Sequence, residues 1–502
     1  EGAVELRGNT VANDRTVALR LDGGQDIFAW HLDGLQRDSS DYEIPEFAEL
    51  SSDEPAPRTG VLENSSFETT SLSAGGTWLG EDAFFGLSVS SYDSNYGAPG
   101  DHHGEEAGSA ESVRINLEQT RFDLKGGWVN LPGPFEAANL RIGVNDYGHR
   151  ELEGGKIGTV FENQAYEARL ELLHAPWAGW DGALGIQFGN REFSAIGEEA
   201  FIPPVGTRNL GLFFVEHRER DRWNLSFGGR LEKQEHQPSA AVPARRDTAT
   251  STSFAAIRRL GDDYALALHL AVAERAPVAE ELYAFGPHLA SRTFEIGDSS
   301  IEKETSRHVD LGLRKTAGAL TWTLTAFRTD FADFIFLWDT DVRDAESELP
   351  IFRYGQQDAS ISGLEFEVFT PIASVGAGEF DLRVYADYVE GSLDSGEDLP
   401  RFPPLRLGAR LQYHRQQLVV GLESARYWQQ DRVAPFESAT PGYTMMNADL
   451  NWSFSASSDV NLNVFFKGMN LLDEDARRHT SLVKDVAPLP GRNFELGLRA
   501  LF

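Results

Sequence analysis

The chain has 502 residues, and its 45 lysines and arginines stand against 78 aspartates and glutamates, for a formal net charge of −33 at pH 7. It contains no cysteine, which excludes disulfides, thiolate metal sites and a cysteine nucleophile. Such acidity argues against nucleic acid as a partner and favours the attraction of cations.

Apolar and polar residues alternate with a period of two along most of the chain. Successive side chains of a strand point to opposite faces, so each run presents one apolar and one polar face. We therefore predict an all-β chain, with a turn or two of helix only between Val278 and Phe285. The alternating runs are, in chain order, Val17–Leu21, Val113–Leu117, Leu140–Val144, Tyr166–Leu172, Leu184–Phe188, Trp223–Phe227, Leu364–Val368, Leu405–Leu411, Leu418–Leu422 and Val460–Phe466.

The connections between these runs are of two sizes. Short turns such as Leu260–Asp263 and Lys315–Gly318 contrast with long acidic loops at Asp38–Arg58, Asp93–Glu111, Asp339–Pro350 and Glu390–Pro400. This alternation is typical of outer-membrane barrels, whose periplasmic turns are short and whose extracellular loops are long. A soluble propeller or stacked sandwich is the alternative, but the chain lacks a blade-length repeat.

The C-terminal run also favours a membrane barrel. Phe494, Leu496, Leu498, Ala500 and Phe502 alternate with other residues, and the chain ends on an aromatic side chain. No stretch reaches the roughly 20 apolar residues of a membrane helix. We predict a large transmembrane antiparallel β-barrel that occupies residues 1–502 as a single domain.

The last thirty-odd residues resemble the closing segment of TonB-dependent outer-membrane receptors. The resemblance is carried by Phe466–Asp473, by Lys484-Asp485 and by the Pro-Gly-Arg-Asn-Phe sequence at Pro490–Phe494. It implies a barrel of 22 strands in the outer membrane of a Gram-negative bacterium, in contact with lipid and lipopolysaccharide. Receptors of this family also have an N-terminal plug, yet a strand pattern already begins at Val4–Asn9. We therefore expect that plug and signal peptide are absent from the chain, and that the TonB complex is reached only through the missing plug segment.

Several segments are similar to the zinc-uptake receptors of this superfamily. They are Asp101–Glu106, Tyr147–Gly155, Glu274–Ala290, Phe294–Gly297 and Glu302–Thr305. The similarity implies a receptor that takes up a metal ion, with zinc as the transported substrate. In the absence of thiolates, zinc is bound by imidazole nitrogen and carboxylate oxygen.

Two groups of residues are candidate ligands inside the barrel. His149, Glu151 and Glu153 fall on one face of an extended strand. His288 follows Gly286 and Pro287, and the resemblance implies that it is a ligand of a site completed by the plug. A solvated, charged strand explains the first group equally, and a water-satisfied loop histidine explains the second.

A third candidate group lies in a long acidic loop. Asp101, His102, His103, Glu105 and Glu106 follow one another without a lysine or arginine. Such a loop could capture Zn²⁺ loosely and pass it to a deeper site. A hydrophilic loop that only keeps itself solvated, or general adaptation to salt, explains the same acidity.

The remaining histidines of interest are interpreted differently. His31 and His269 alternate with apolar neighbours and are predicted to be parts of the lumen wall. His479 lies beside Arg477 and Arg478, and we expect this basic setting to disfavour zinc.

Several competing functions are compatible with the sequence. Arg275-Ala276-Pro277 matches part of the Phe-Arg-Ala-Pro box of haem receptors, but Glu274 replaces the Phe, and Gly297–Ile301 only loosely resembles their second box. In a haem receptor, His288 would be an axial ligand of haem. The sequence is also compatible with a receptor for a metal chelate (siderophore) and, if the barrel is naturally plugless, with a passive pore. We predict no enzyme, because neither a Ser/His/Asp motif nor a Gly-x-Ser-x-Gly elbow is found.

Overall fold

The computed structural model describes residues 1–50, 60–99, 113–197, 200–239, 242–288 and 293–502. Twenty-two antiparallel strands form a closed barrel, as predicted, and a short helix with a two-stranded hairpin lies in one connection between them. In chain order the elements are β1 Gly2–Asn9, β2 Arg15–Gln25, β3 Phe28–Ser39, β4 Phe67–Leu79, β5 Ala83–Gly97, β6 Val113–Val129, β7 Phe135–Glu153, β8 Lys156–Trp177, β9 Trp180–Gly197, β10 Val205–Arg220, β11 Trp223–Pro238, β12 Arg245–Leu260, β13 Tyr264–Arg275, α1 Ala279–Tyr283, β14 Phe285–His288, β15 Thr293–Ile296, β16 Glu304–Lys315, β17 Thr321–Arg343, β18 Pro350–Val375, β19 Gly378–Leu393, β20 Arg406–Arg415, β21 Leu418–Tyr427, β22 Tyr443–Ser455, β23 Asn461–Met469 and β24 Asn493–Leu501.

The barrel closes where the first strand pairs with the last. β1 and β24 are antiparallel, with Leu6 opposite Leu498. The backbones of Gly2 and Phe502 exchange two hydrogen bonds, of 2.6 and 2.9 Å. Closure leaves no strand edge of the wall unpaired. A sheet that crosses a membrane requires such closure, because unpaired backbone groups find no hydrogen-bond partner in lipid.

The connections sort to the two ends of the barrel by length. The ten connections at one end span two to five residues, such as 26–27 and 416–417. Most at the other end are long, among them 40–66, 276–303, 428–442 and 470–492. Short turns mark the periplasmic end of such barrels and long loops the extracellular end.

Three of the predicted loops are shorter by several residues than the sequence suggested. β5 continues to Gly97, β17 to Arg343 and β19 to Leu393, and β18 begins at Pro350. A strand that projects into water at the extracellular end has polar residues on both faces, and its sequence therefore looks like a loop.

The outward face carries an apolar surface with an aromatic belt near the short turns. The rings of Trp78 and Phe85 are stacked, with centroids 6.1 Å apart. The ring of Trp128 packs edge to face against Phe85, with centroids 5.0 Å apart. Tyr264 and Trp322 form a similar pair at 6.3 Å. Such girdles lie at the membrane–water interface. No helix among the described residues has the length and apolarity to cross a membrane.

The inward face is polar and carries many ion pairs. Ion pairs along it include Arg121–Asp123 at 2.7 Å and Arg169–Glu171 at 2.5 Å. Arg410 lies 2.8 Å from Asp449 on another part of the wall. At several places on this face a carboxylate thus lies beside an arginine.

Candidate functional site

The connection between β13 and β16 folds against the inner wall, and we call its described residues, 276–288 and 293–303, the inner ledge. Leu282 and Ala284 are each 3% exposed. They belong to one core cluster with Phe161 of β8 and with Ile202 of the connection between β9 and β10. Val278 and Ala279 border a cavity of about 1150 Å³ whose other lining residues lie on β5–β11. The ledge therefore projects into the lumen near its extracellular end.

The Arg275-Ala276-Pro277 segment anchors the ledge. Arg275 donates to Glu281 at 3.0 Å and to Glu304 at 3.3 Å, and both carboxylates are buried. The carbonyl of Pro277 accepts hydrogen bonds from Gln234 at 2.8 Å and from the His236 ring at 3.1 Å. The segment that resembles a haem-receptor box thus attaches the inner ledge to the wall of this barrel.

His288 lies on the ledge beside a buried carboxylate. Its Nδ1 is 2.8 Å from Oε1 of Glu295, whose exposure is 4%. The imidazole stacks on Phe201, with ring centroids 4.5 Å apart, and Tyr354 donates to Glu295 at 3.1 Å. An imidazole nitrogen and a carboxylate oxygen are therefore presented together, held by an aromatic ring on one side.

The predicted strand group lies on β7 near the extracellular end. His149 accepts or donates a 2.9 Å hydrogen bond with Tyr147, stacks on Phe161 at 4.4 Å, and lies 3.9 Å from Glu151. Glu153 is opposite Lys156 at the next turn. In the described parts of the chain, these residues do not join His288 in a group of three ligand atoms within 4.8 Å. His149 and His288 instead stack on two different rings, Phe161 and Phe201, of one core cluster.

The third predicted group, Asp101, His102, His103, Glu105 and Glu106, lies outside the described residues. Its role in capturing a cation stays a prediction.

A cluster that the sequence did not single out occurs on β13 and β16. His269, His308 and Asp310 offer three ligand atoms within 4.8 Å of one another, and they form the one such group among the described residues. His269 directly opposes Asp310 in the ladder. The predicted wall position of His269 fits the structure, but it is not a lone histidine. A His-x-Asp pair on β16 was the available signal.

Three extracellular segments meet at a buried ionic network. Lys484 donates to Glu437 at 2.8 Å and to the carbonyl of Ser438 at 2.7 Å. His479 lies 3.3 Å from Glu437, which also accepts from the backbone N–H of Arg401 at 3.0 Å. His479 was predicted to lie in a basic setting, but the structure places its ring beside this carboxylate. Burial alone would raise the pKa of Glu437, but the neighbouring imidazole and ammonium outweigh it and lower the pKa to about 2.

Acid is expected to loosen this network only well below neutral pH. The pKa of Glu437 falls from an ordinary 4.5 to about 2 on folding, so its stabilising contribution is complete above about pH 4.5 and is lost as the pH approaches 2. Hydrogen exchange of residues 428–442 and 470–492 should show constant protection from pH 7 to about 4.5 and declining protection below. Glu437→Gln should be poorly protected throughout. A variant that follows the wild-type pH course would show that Glu437 does not control this network.

The closed wall, apolar outward face, aromatic belt and polar lumen together define an integral outer-membrane β-barrel. Comparison with known proteins identifies its family. The model of the family described as "TonB dependent receptor-like, beta-barrel" matches residues 23–471. The chain belongs to this family, whose members are transporters of the Gram-negative outer membrane rather than enzymes.

Several solved structures have a similar fold. The copper transporter OprC superimposes with a TM-score of 0.81 at 18% identity, over 100% of this chain and 80% of that one. The FrpB iron transporter from Neisseria meningitidis (F5-1 variant) gives 0.79 at 13% identity, over 100% and 82%. The siderophore receptor PirA from Acinetobacter baumannii gives 0.72 at 14% identity, over 100% and 80%. At these identities the likeness is one of fold.

Proposed function

We propose that this barrel is part of a receptor for the uptake of a metal ion, and that the ion is zinc. The observation that carries the proposal is the pairing of histidines with carboxylates. Ten of the twelve histidines lie in the described residues, and eight of these have a side-chain nitrogen within 3.9 Å of an aspartate or glutamate oxygen. Mixed nitrogen and oxygen donors suit zinc, while the lack of cysteine and the presence of only three methionines disfavour a soft ion such as Cu(I).

His288 and Glu295 are the pair that we assign to substrate on the extracellular side. They lie on the inner ledge, at the entrance to the lumen, and Phe201 fixes the ring of His288. Under the proposal, further ligands come from a plug, as the family resemblance implies. The acidic chain and the loop with His102 and His103 would raise the local concentration of cations.

The structures of similar fold favour a second candidate substrate. They include a siderophore receptor, so uptake of a metal chelate is the competing substrate class. Uptake of a chelate would not require the His288–Glu295 pair to bind a bare ion. Titration with both kinds of ligand distinguishes the two classes.

Replacing His288 with alanine is expected to weaken zinc binding at the ledge at least tenfold, because the imidazole nitrogen of the pair is lost. Titration calorimetry of the folded barrel in detergent with Zn²⁺ measures this, with Cu²⁺ and a ferric siderophore as competitors. His217→Ala is the matched control, since His217 hydrogen-bonds to the hydroxyl of Ser226 at 3.2 Å. Binding of the ferric siderophore by a barrel that shows no saturable zinc binding would overturn the proposal.

A further inference from the structure

Asp310 differs from the other carboxylates of the inner wall in the number of its histidine partners. Some carboxylates on this face lie beside an arginine, as in Arg121–Asp123 and Arg169–Glu171, and Asp381 lies beside the single histidine His414. Within the described residues, the ion pairs of Asp310 are with His269 and His308 instead. Two imidazoles from adjacent strands therefore converge on one carboxylate.

Two of the three ligand-atom separations in this group are close to those of a metal shell, and all three lie within 4.8 Å. Oδ2 of Asp310 is 3.2 Å from Nδ1 of His269 and 3.2 Å from Nε2 of His308. Ligand atoms about 2.0–2.2 Å from a tetrahedral zinc ion are separated from one another by about 3.3–3.6 Å. An ion could therefore be accepted with small rotations of the side chains.

A neighbouring hydroxyl orients one of the imidazoles. Nδ1 of His308 is 2.8 Å from Oγ1 of Thr329 on β17. If the proton of the ring is on Nδ1 and is donated to this hydroxyl, Nε2 turns its lone pair toward Asp310. Hydrogen bonds of this kind fix the tautomer of ligand histidines in metal sites.

The surrounding wall leaves room for an ion to approach. Outward-facing Leu270 and Val309 show that His269 and His308 face the lumen, where both are partly exposed. The pair His269–Asp310 stands near the middle of the twelve-residue ladder between β13 and β16. It is therefore deeper in the lumen than the ledge.

We propose that His269, His308 and Asp310 form a second divalent-cation site, on the inner wall below the ledge, with water in the fourth position. The inference deepens the proposed function and rests on it for a role in uptake: an ion leaving the His288–Glu295 pair would bind here next. The group supplies two nitrogens and one oxygen, a donor set that suits Zn²⁺.

Cobalt and zinc titrations of the folded 502-residue barrel test this site. Co²⁺ in a tetrahedral nitrogen–oxygen shell gives a visible absorption band, which Zn²⁺ should abolish by displacement. His308→Ala and the nearly isosteric Asp310→Asn should each weaken binding at this site at least tenfold. His414→Ala is the matched control, because His414 has a similar 3.3 Å contact with Asp381 on the inner wall but, within the described chain, belongs to no group of three ligands.

The outcomes separate this site from the one on the ledge. Cobalt binding that survives in His288→Ala and is lost in His308→Ala and Asp310→Asn supports the wall site, whatever the result for uptake. Binding equal to wild type in both wall variants overturns it, and the three side chains then only hydrogen-bond to one another. Heat-modifiable migration on gels verifies that each variant forms the barrel.

Discussion

Replacement of Arg477 with methionine is expected to release two extracellular loops from each other. The Arg477 side chain is 1% exposed and donates to the carbonyls of Phe47, Ala48 and Lys484 at 2.7, 2.9 and 3.0 Å. Its loss leaves the buried carbonyl of Lys484 and the partly buried carbonyls of Phe47 and Ala48 without this donor, at a cost of about 1–3 kcal/mol for each acceptor that water does not reach. We therefore expect a local destabilisation of about 3 kcal/mol or more.

Hydrogen exchange of the backbone amides measures this effect. The reporters are Leu50, which donates to Asp485 at 2.7 Å, and Gly491, which donates to Glu43 at 2.9 Å. Their protection should fall about 100-fold, as a change of about 3 kcal/mol in local opening requires. Arg478→Met is the matched control, because Arg478 is the adjacent residue and is exposed. Equal protection in the two variants would contradict the role given to Arg477.

Replacement of Arg275 with methionine is expected to detach the inner ledge from the wall. The change leaves Glu281 and Glu304 buried without their shared guanidinium, and removal of one partner from such a pair costs about 2–5 kcal/mol. We expect about 2–3 kcal/mol, since Arg275 is itself 41% exposed and water screens part of the interaction.

Conductance of the barrel in planar bilayers reports on this change. A displaced ledge widens the extracellular part of the lumen, so the variant should conduct better than wild type and show more frequent transitions between levels. Arg328→Met is the control, because Arg328 and Asp330 form an exposed pair at 2.6 Å on a neighbouring strand. If Arg275→Met and wild type conduct alike, the ledge does not depend on this ion pair.

The strands and their closure could be predicted from the sequence because the side chains of a barrel strand alternate between lipid and lumen. Apolar and polar residues therefore alternate along the chain. The closing motif was also informative, and the structure gives its reason. The side chain of Asn470 bonds the backbone of Glu474 at 2.9 and 3.0 Å and of Pro490 at 3.0 Å. Asp473 accepts from the N–H of Arg492 at 2.8 Å. The two motif segments thus hold the ends of the 470–492 loop together.

The group of His269, His308 and Asp310 was less predictable, because it depends on the register in which β13 and β16 pair. His269 and His308 are separated by the connection 276–303, and no pattern within either strand states which residues will oppose each other. The same connection could have folded away from the lumen. Its inward direction is set by contacts such as Gln234 with Pro277, between segments far apart in the chain.

Diffraction from zinc-soaked crystals, collected on both sides of the zinc absorption edge, tests the central claim most directly. We predict anomalous density inside the barrel, beside His288 and Glu295 and in the group of His269, His308 and Asp310. Anomalous density confined to the outer surface, with none in the lumen, would contradict a receptor that binds zinc through these residues.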